Sequence, residues 1–177
     1  MTTDAELRPA AIRGTLRRYL DLLQAHQQAL NGLNVYPVPD GDTGSNMTAT
    51  MEAVIERVGR AKHMDELAEA VSDGSLMGAQ GNSGIILSQV LRAIAAALEG
   101  RETLDTAGLA DAVGRASEAA YGAVGRPVEG TILTVLRETA EAVSADRQAD
   151  LPEMTVAAFT AAEASLRRTP DLLPVLA

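Results

Sequence analysis

Apolar side chains recur at three- and four-residue spacing along most of the chain, the period that buries one face of an α-helix. Period-two alternation never extends beyond a few residues, so the pattern predicts no β-sheet. Glycine, proline and short polar residues interrupt the periodicity and mark the helix ends. The pattern predicts helices at about residues 5–31, 45–58, 64–76, 85–98, 106–124, from about 131 onward, and 152–168.

Particular residues indicate where these helices begin and end. Gly32 ends the first, and Ser45 is the predicted N-cap of the second. Thr169 and Pro170 fit the N-cap and first position of an eighth helix, which stops at Ala177 after barely two turns. We therefore expect an all-α fold, an antiparallel bundle or barrel of about eight helices whose last helix is truncated. An end inside a helical pattern indicates a piece of a longer protein.

The composition agrees with close-packed helices in one domain. Of the 177 residues, 46% are hydrophobic and only 2% aromatic, so aliphatic side chains and methionine must build the core. Alanine has the best helix propensity. The absence of cysteine excludes disulfides and thiolate metal sites. With no apolar run of the roughly 18–20 residues that a membrane span needs and no signal-peptide pattern, a cytoplasmic protein that is not integral to the membrane is expected.

The charge narrows the classes of ligand. The net charge is −9, and Lys62 is the single lysine. Nucleic-acid binding is disfavoured because it requires a basic surface. The chain contains no P-loop, and Lys62 lies in no strand that would make it a kinase lysine. If the protein binds a nucleotide, metal ions and backbone amides must therefore balance the phosphate charge.

Most of the candidate chemistry lies in residues 34–47, which we call the aspartate loop. Asp40 and Asp42 flank Gly41, and two carboxylates this close repel each other unless a cation lies between them. Oxygen ligands suit Mg²⁺ or Ca²⁺ better than zinc. Counted from Asp40, the twelfth position is Met51 instead of glutamate, which excludes an EF-hand loop. The run is also ordinary turn chemistry, and the residues alone leave both interpretations open.

The residues around the two aspartates add to the metal interpretation. Pro37 and Pro39 hold the approach to the aspartates extended. Thr43, Ser45 and Asn46 supply short oxygen-bearing side chains and are candidate nucleotide ligands.

Two further glycine-bearing loops precede apolar helices. The glycine corner is residues 77–84, Met-Gly-Ala-Gln-Gly-Asn-Ser-Gly, and the third corner is residues 125–131, Gly-Arg-Pro-Val-Glu-Gly-Thr. Free amides at a helix N-terminus bind anions, and Thr131 can cap its helix or donate to a ligand. Each loop alone is equally a simple helix connection, with Asn82 or Ser83 as an N-cap. In an up-and-down bundle the loops before helices two, four and six lie at one end, so the three can converge.

Three motifs resemble one known family. The runs Asn-Val-Tyr-Pro-Val-Pro-Asp-Gly-Asp-Thr-Gly-Ser-Asn-Met, Met-Gly-Ala-Gln-Gly-Asn-Ser-Gly-Ile-Ile-Leu-Ser-Gln and Pro-Val-Glu-Gly-Thr-Ile-Leu-Thr-Val look like the N-terminal nucleotide-binding domain of the bacterial fatty acid kinase catalytic subunit. That domain is similar to the ADP-binding L subunit of dihydroxyacetone kinase. The resemblance covers nearly the whole chain. It implies an eight-helix antiparallel barrel, the N-terminal part of a multidomain protein, that binds ATP as co-substrate with two Mg²⁺ ions at its mouth.

The resemblance also implies roles for individual residues. Asp40 and Asp42 match the metal-bridging aspartates and are the catalytic candidates. Asn34 stands near the place of a third aspartate in the dihydroxyacetone kinase subunit, and Thr43 replaces a histidine of that loop. Matches to the phosphate-side loop and to the third corner are Gly81, Asn82, Ser83, Gly84, Gly130 and Thr131.

The expected reaction is transfer of a phosphoryl group to a carboxylate. His26 and His63 read as surface residues, so no general base is evident, and a carboxylate acceptor needs none. The resemblance supplies a fatty acid bound to a separate carrier protein, giving an acyl phosphate. The alternatives are a dihydroxyacetone kinase-type subunit and a non-catalytic nucleotide-binding regulatory module. The oligomeric state stays open, a dimer included.

Overall fold

A computed structural model describes residues 6–36, 38–145 and 149–176, and the long elements in these ranges are all α-helices. In chain order they are α1 (Pro9–Gly32), α2 (Thr43–Val58), α3 (Met64–Gly78), α4 (Gly81–Leu98), α5 (Thr106–Gly122), α6 (Ile132–Ala145) and α7 (Leu151–Leu172), followed by a 3₁₀ turn (Pro174–Leu176). The described ranges hold no strand, only an isolated antiparallel bridge between Leu7 and Leu104. The predicted all-α fold is confirmed.

Neighbouring helices pack against each other in antiparallel order. Gln27, near the end of α1, contacts Ser45 at the start of α2, whereas Arg13, near the start of α1, contacts the carbonyl of Ala61 beyond the end of α2. Each helix packs on the next, and α2 also packs on α4. The helices α2, α4 and α6 therefore begin at the same end of the bundle, which we call the mouth. Among the described residues, α7 makes extended contact only with α6 and the 3₁₀ turn, so the α7 edge of the bundle is open.

Two apolar clusters hold the bundle together, and α4 contributes to both. The larger joins α1 to α4 around Met51, Val54 and Leu67, and the smaller joins α4, α5 and α6. By length and composition alone α4 could cross a membrane, the single described helix of which this is true. One face of α4, with Leu87, Val90, Leu91 and Leu98, packs in the two clusters, which places this helix against the core of the bundle.

The second helix begins two residues earlier than predicted. It starts at Thr43 with Asp42 as its N-cap, so the prediction that Ser45 caps it is wrong. Gly41, with φ of +68°, turns the chain just before Asp42. The carbonyl of Asp42 then accepts the N–H of Asn46 at 2.8 Å, the first bond of the helical ladder.

The last helix passes through its proline. The prediction that Thr169 and Pro170 start an eighth helix is wrong, because α7 continues to Leu172. A proline has no N–H to donate to the carbonyl four residues before it, here that of Leu166. The hydroxyl of Thr169 donates to this carbonyl at 2.8 Å, so the carbonyl keeps a partner and the helix completes its final turn.

Candidate functional site

The aspartate loop presents two carboxylates at the mouth. The side-chain amide of Asn34 donates to Oδ1 of Asp40 at 2.5 Å, which fixes the start of the loop to its acidic end. Asp40 is exposed, Asp42 is partly exposed, and the Asp42 side chain makes no capping hydrogen bond to α2. Both carboxylates are therefore free of the helix that follows them. Pro37, predicted to stiffen this loop, lies outside the described residues.

The donor set of this loop fits a hard cation. Asn34 uses its NH₂ group on Asp40, which leaves its side-chain carbonyl oxygen available as a further oxygen donor near Asp40. Oxygen donors in this number suit Mg²⁺, which keeps several positions for water and for phosphate oxygens. No group of three His, Cys, Asp or Glu side chains with metal-site geometry occurs in the described ranges. Any cation held here would therefore depend on Asp40 and Asp42 together.

The first turn of α2 is fastened to the last turns of α1. The N–H of Ser45 donates to Oδ1 of Asn31 at 3.1 Å. The Ser45 hydroxyl in turn accepts from Asn31 Nδ2 at 3.0 Å and from Gln27 Nε2 at 3.1 Å. A Cβ at Gly44 would overlap the Gln27 carbonyl oxygen, so only glycine allows this approach. The structure thus directs Ser45, a candidate nucleotide ligand, towards α1.

The aspartate loop and the glycine corner meet at the mouth. Ser83 donates through its hydroxyl to Oγ1 of Thr43 at 3.3 Å, which joins the first turns of α4 and α2. The helix α4 begins at Gly81 after the N-cap Gln80, so Asn82 and Ser83 lie in its first turn and neither is its cap. The predicted convergence is confirmed for these two loops.

Glycines of α3 and α4 bring both helices into close contact with α2. A Cβ at Gly81 would overlap the Asn46 side chain, and a Cβ at Gly84 would lie 2.5 Å from Oγ1 of Thr50. The same crowding against α2 occurs at Gly74 and Gly78. We call these four residues the glycine seam. Gly84 is buried, so its lack of a side chain serves helix packing.

Two sets of donors at the mouth lack protein partners. Nδ2 of Asn46 is buried and has no hydrogen-bond acceptor among the described residues. Gln80 makes no side-chain cap to α4, so no cap occupies the amides of its first turn. Buried donors are normally paired, and an unpaired one indicates a ligand or an ordered water. Together with the positive end of the α4 dipole, these donors suit an anion.

The third corner lies at the same end but is internally bonded. Gly130 has φ of +81°, and its N–H donates to Oγ1 of Thr134 at 2.8 Å. The Thr131 hydroxyl donates to the Val128 carbonyl at 2.9 Å and accepts from the N–H of Leu133 at 3.3 Å, so it caps α6. Among the described residues, no hydrogen bond joins this corner to the other two loops. The connection is indirect, through the packing of α4, α5 and α6 in the smaller cluster.

Sequence reasoning missed several residues that shape the site. Asn31 and Gln27 anchor α2, yet in the sequence they are ordinary polar positions of a helix. Glu129, which precedes Gly130, is bonded by Tyr121, Thr134 and Arg137. No regular spacing in the sequence signals these contacts, since they join two different helices or join a loop to a helix. Both histidines are exposed, as predicted, and neither lies on the loops at the mouth.

Comparison with known proteins gives one family. A family model described as the DAK2 domain matches residues 37–177. Protein YloV of Bacillus subtilis strain 168 is 42% identical over 158 residues, which cover 87% of this chain and 29% of that protein. Uncharacterized proteins of Staphylococcus saprophyticus and Staphylococcus aureus strain USA300 are 45% and 43% identical with the same coverage. The chain thus spans 29% of the length of these relatives. It belongs to the DAK2 domain family, part of the dihydroxyacetone kinase superfamily.

Proposed function

We propose that the mouth binds Mg²⁺-ATP and transfers its γ-phosphate to the carboxylate of a fatty acid that a separate carrier protein presents. The observation that carries this proposal is the contact between Ser83 and Thr43. It brings the loop that carries Asp40 and Asp42 next to an uncapped helix N-terminus, and a metal-bound polyphosphate requires both carboxylates and free amides. Membership of the DAK2 family supports a kinase-like nucleotide site.

Each group at the mouth has a role in this proposal. Asp40 and Asp42 hold the metal ions, two in number by the resemblance, with the Asn34 carbonyl oxygen beside them. Bound Mg²⁺ neutralises phosphate charge in the absence of a nearby lysine. The amides of Gly81, Asn82 and Ser83 face the phosphates, and the unpaired Asn46 Nδ2 is a further donor on the same side. Gly130 and Thr131 form the side wall next to the nucleotide.

A carboxylate acceptor suits a mouth without a histidine base. A fatty acid is already ionised at neutral pH, so its oxygen attacks the γ-phosphorus with no proton to remove. As that bond forms, the bond from the γ-phosphorus to the bridging oxygen breaks, and ADP leaves with the electron pair. The products are an acyl phosphate and ADP. A hydroxyl acceptor, as in dihydroxyacetone kinase chemistry, would need a base in addition.

The surface around the mouth favours a partner with an apolar contact face. Most of the large apolar side chains that the described residues expose lie at this end, and their exposed fractions run from 41% to 73%. They come from the aspartate loop and its approach and from the mouth ends of α3, α4, α6 and α7, namely Leu33, Tyr36, Val38, Leu76, Met77, Ile85, Ile132, Leu172 and Val175. In the proposal these side chains together form the apolar surface that a protein partner contacts. A carrier protein docked on it would place its cargo carboxylate over the metal site.

The direct test is calorimetric titration of ATP into the chain, with Mg²⁺ and then with EDTA. We expect Mg²⁺-dependent binding that Asp42→Ala abolishes while circular dichroism shows unchanged helicity. Asp21→Ala, which removes an exposed aspartate on the outside of α1, is the matched control and should bind normally. A helical wild-type chain that binds no ATP with Mg²⁺ would refute the nucleotide site.

The acceptor is tested separately. With ATP, Mg²⁺ and a carrier loaded with fatty acid, trapping by hydroxylamine should yield the hydroxamate of the acid. Phosphate transfer to dihydroxyacetone on a partner would favour the dihydroxyacetone kinase-type subunit instead. Tight ATP binding with no transfer to either acceptor would favour a regulatory module. A cytoplasmic location is part of the same proposal, since ATP is the co-substrate.

A further inference from the structure

Glu129 is held by side chains from two helices. Its Oε1 accepts from the hydroxyl of Tyr121 on α5 at 2.9 Å. Its Oε2 accepts from Oγ1 of Thr134 at 2.7 Å and from Nη2 of Arg137 at 3.1 Å, both on α6. Nε of Arg137 also donates to the Tyr121 hydroxyl at 3.3 Å, which closes the set. We call these four residues the Glu129 clamp.

The clamp orients one backbone amide of the third corner. Thr134 is fully buried, and its Oγ1 accepts the buried N–H of Gly130 at 2.8 Å. A hydroxyl has a single proton. Because Thr134 gives that proton to Glu129, its lone pairs are left for the Gly130 amide. The same hydrogen bond lowers the pKa of Glu129, with Tyr121 and Arg137 adding to the effect, so the carboxylate stays ionised at neutral pH.

The opposite side of Gly130 is closed by the end of α7. A Cβ at Gly130 would lie 2.7 Å from Cβ of Leu173 and 2.9 Å from the carbonyl oxygen of Thr169. The positive φ of Gly130 also disfavours any other residue. The clamp on one side and α7 on the other thus fix the backbone just before Thr131.

The ion pair between Arg137 and Glu129 contributes little to the stability of the whole fold, because both side chains are exposed to water. The side chains of Arg137 and Glu129 are 39% and 49% exposed. Ion pairs with this exposure contribute little to the free energy of unfolding. The directional part of the clamp is the chain of hydrogen bonds from Glu129 through the buried Thr134 hydroxyl to the buried amide of Gly130.

We infer that Glu129 and Thr134 are positioning residues for the nucleotide, acting through the Gly130–Thr131 backbone. This inference rests on the proposed function, because it assigns the third corner to the wall of the nucleotide site. The inference distinguishes the residues of this corner that line the nucleotide from those that hold the corner in place. In the proposed site the Thr131 end of this backbone lines the nucleotide, and the clamp side chains hold the buried Gly130 before it without touching the nucleotide.

The experiment compares three threonine variants of this chain. Thr134→Val keeps the shape but leaves the Gly130 amide without an acceptor, and Thr134→Ser keeps the hydroxyl. Thr139→Val is the control, because the Thr139 hydroxyl on the same helix donates to the carbonyl of Val135 at 2.7 Å and to no other described residue. We expect Thr134→Val to raise the dissociation constant of Mg²⁺-ATP by about tenfold, the effect of one unpaired buried donor. Thr134→Ser should restore most of the affinity, and Thr139→Val should leave it unchanged.

Hydrogen exchange of the Gly130 amide, measured without nucleotide, gives a readout that does not depend on binding. Exchange should accelerate in Thr134→Val and remain slow in Thr134→Ser and Thr139→Val. Equal ATP affinity in wild type and Thr134→Val would overturn the inference while leaving the proposed function intact. Equal losses of affinity in Thr134→Val and Thr139→Val would also overturn it, since they would reflect general loosening of α6. A wild-type chain that binds no Mg²⁺-ATP would overturn both proposals.

Discussion

The hydroxyl of Ser83 donates a hydrogen bond to the hydroxyl of Thr43 at 3.3 Å, across 40 residues of sequence. Each residue lies in the first turn of its helix, Thr43 in α2 and Ser83 in α4. The bond therefore ties the loop that carries the carboxylates to the helix end that carries free amides. It is the one hydrogen bond among the described residues that joins the two halves of the candidate site.

This bond predicts energetic coupling between its two residues. Thr43→Val and Ser83→Ala each remove one hydroxyl, and either change should cost about 1 kcal/mol of unfolding free energy. The double variant should lose less than the sum, with a coupling of about 0.5–1 kcal/mol. Urea denaturation of the four proteins measures this term. Strictly additive losses would show that the two hydroxyls do not interact in solution.

A comparison of two glycines with positive φ separates the cost of crowding at the glycine seam from the cost of backbone strain. Gly81 and Gly100 have φ of +58° and +72°, so alanine at either position costs about 1–2 kcal/mol from the left-handed conformation. A Cβ at Gly81 would also overlap Asn46, whereas Gly100 has no atom within 4 Å of that position. Gly81→Ala should therefore lower the denaturation midpoint more than Gly100→Ala. Equal losses would mean that α2 yields to the added methyl group.

Ser45 should be more important for stability than its position in the loop suggests. Ser45→Ala leaves the side-chain amides of Asn31 and Gln27 without their shared acceptor, which should cost about 1–3 kcal/mol. Ser144→Ala, an exposed serine on α6, is the control and should have little effect. Thermal unfolding of both variants checks the difference. An unchanged melting temperature for Ser45→Ala would show that α2 does not depend on this anchor.

Burial of the Tyr19 phenol should make the folded protein less stable at alkaline pH. Burial against the larger cluster raises its pKa from 10.0 to about 12. The folded state therefore favours the neutral phenol, while the unfolded chain ionises near pH 10. This contribution is complete below pH 10, is lost as the pH rises towards 12, and amounts to at most about 3 kcal/mol.

Tyr19→Phe should flatten the stability profile between pH 10 and about 12, since the ionising group is gone. Tyr36→Phe serves as the control because Tyr36 is 41% exposed. Urea unfolding at several pH values provides the measurement. A slope that is the same in wild type and Tyr19→Phe would show that the phenol does not resist ionisation in the fold.

The three- and four-residue spacing of apolar side chains predicts the helices because it shows which face each helix buries. That spacing is a local property of the sequence. The caps were harder to predict. Ser45 and Asp42 are both good cap residues, and the choice between them depends on Gly41, whose φ the sequence does not state. Near the end of the chain, Pro170 predicts a helix start, because the missing N–H of proline normally excludes it from the last turn of a helix. The hydroxyl of Thr169 removes that penalty.

Two of the three loops that the sequence indicates lie together as predicted, but the sequence leaves the function of their glycines ambiguous. A glycine that admits a phosphate and a glycine that admits another helix look the same in a sequence. Gly84 contacts Thr50, and that pairing depends on the placement of α2 against α4. The Glu129 clamp was invisible for the same reason, since Tyr121 and Arg137 come from different helices.

The glycine seam has a consequence for how the site responds to change elsewhere in the chain. Where side chains separate two helices, a mutation or a change of rotamer can alter their spacing. Along the seam the spacing of α2 from α3 is set at Gly74 and Gly78, and the spacing of α2 from the start of α4 is set at Gly81 and Gly84, against the side chains of Asn46 and Thr50. The distance between the carboxylates and the α4 amides therefore depends on two short polar side chains and not on the packing of large apolar ones. Substitutions that repack the large apolar side chains of the distant core should therefore leave this distance nearly constant.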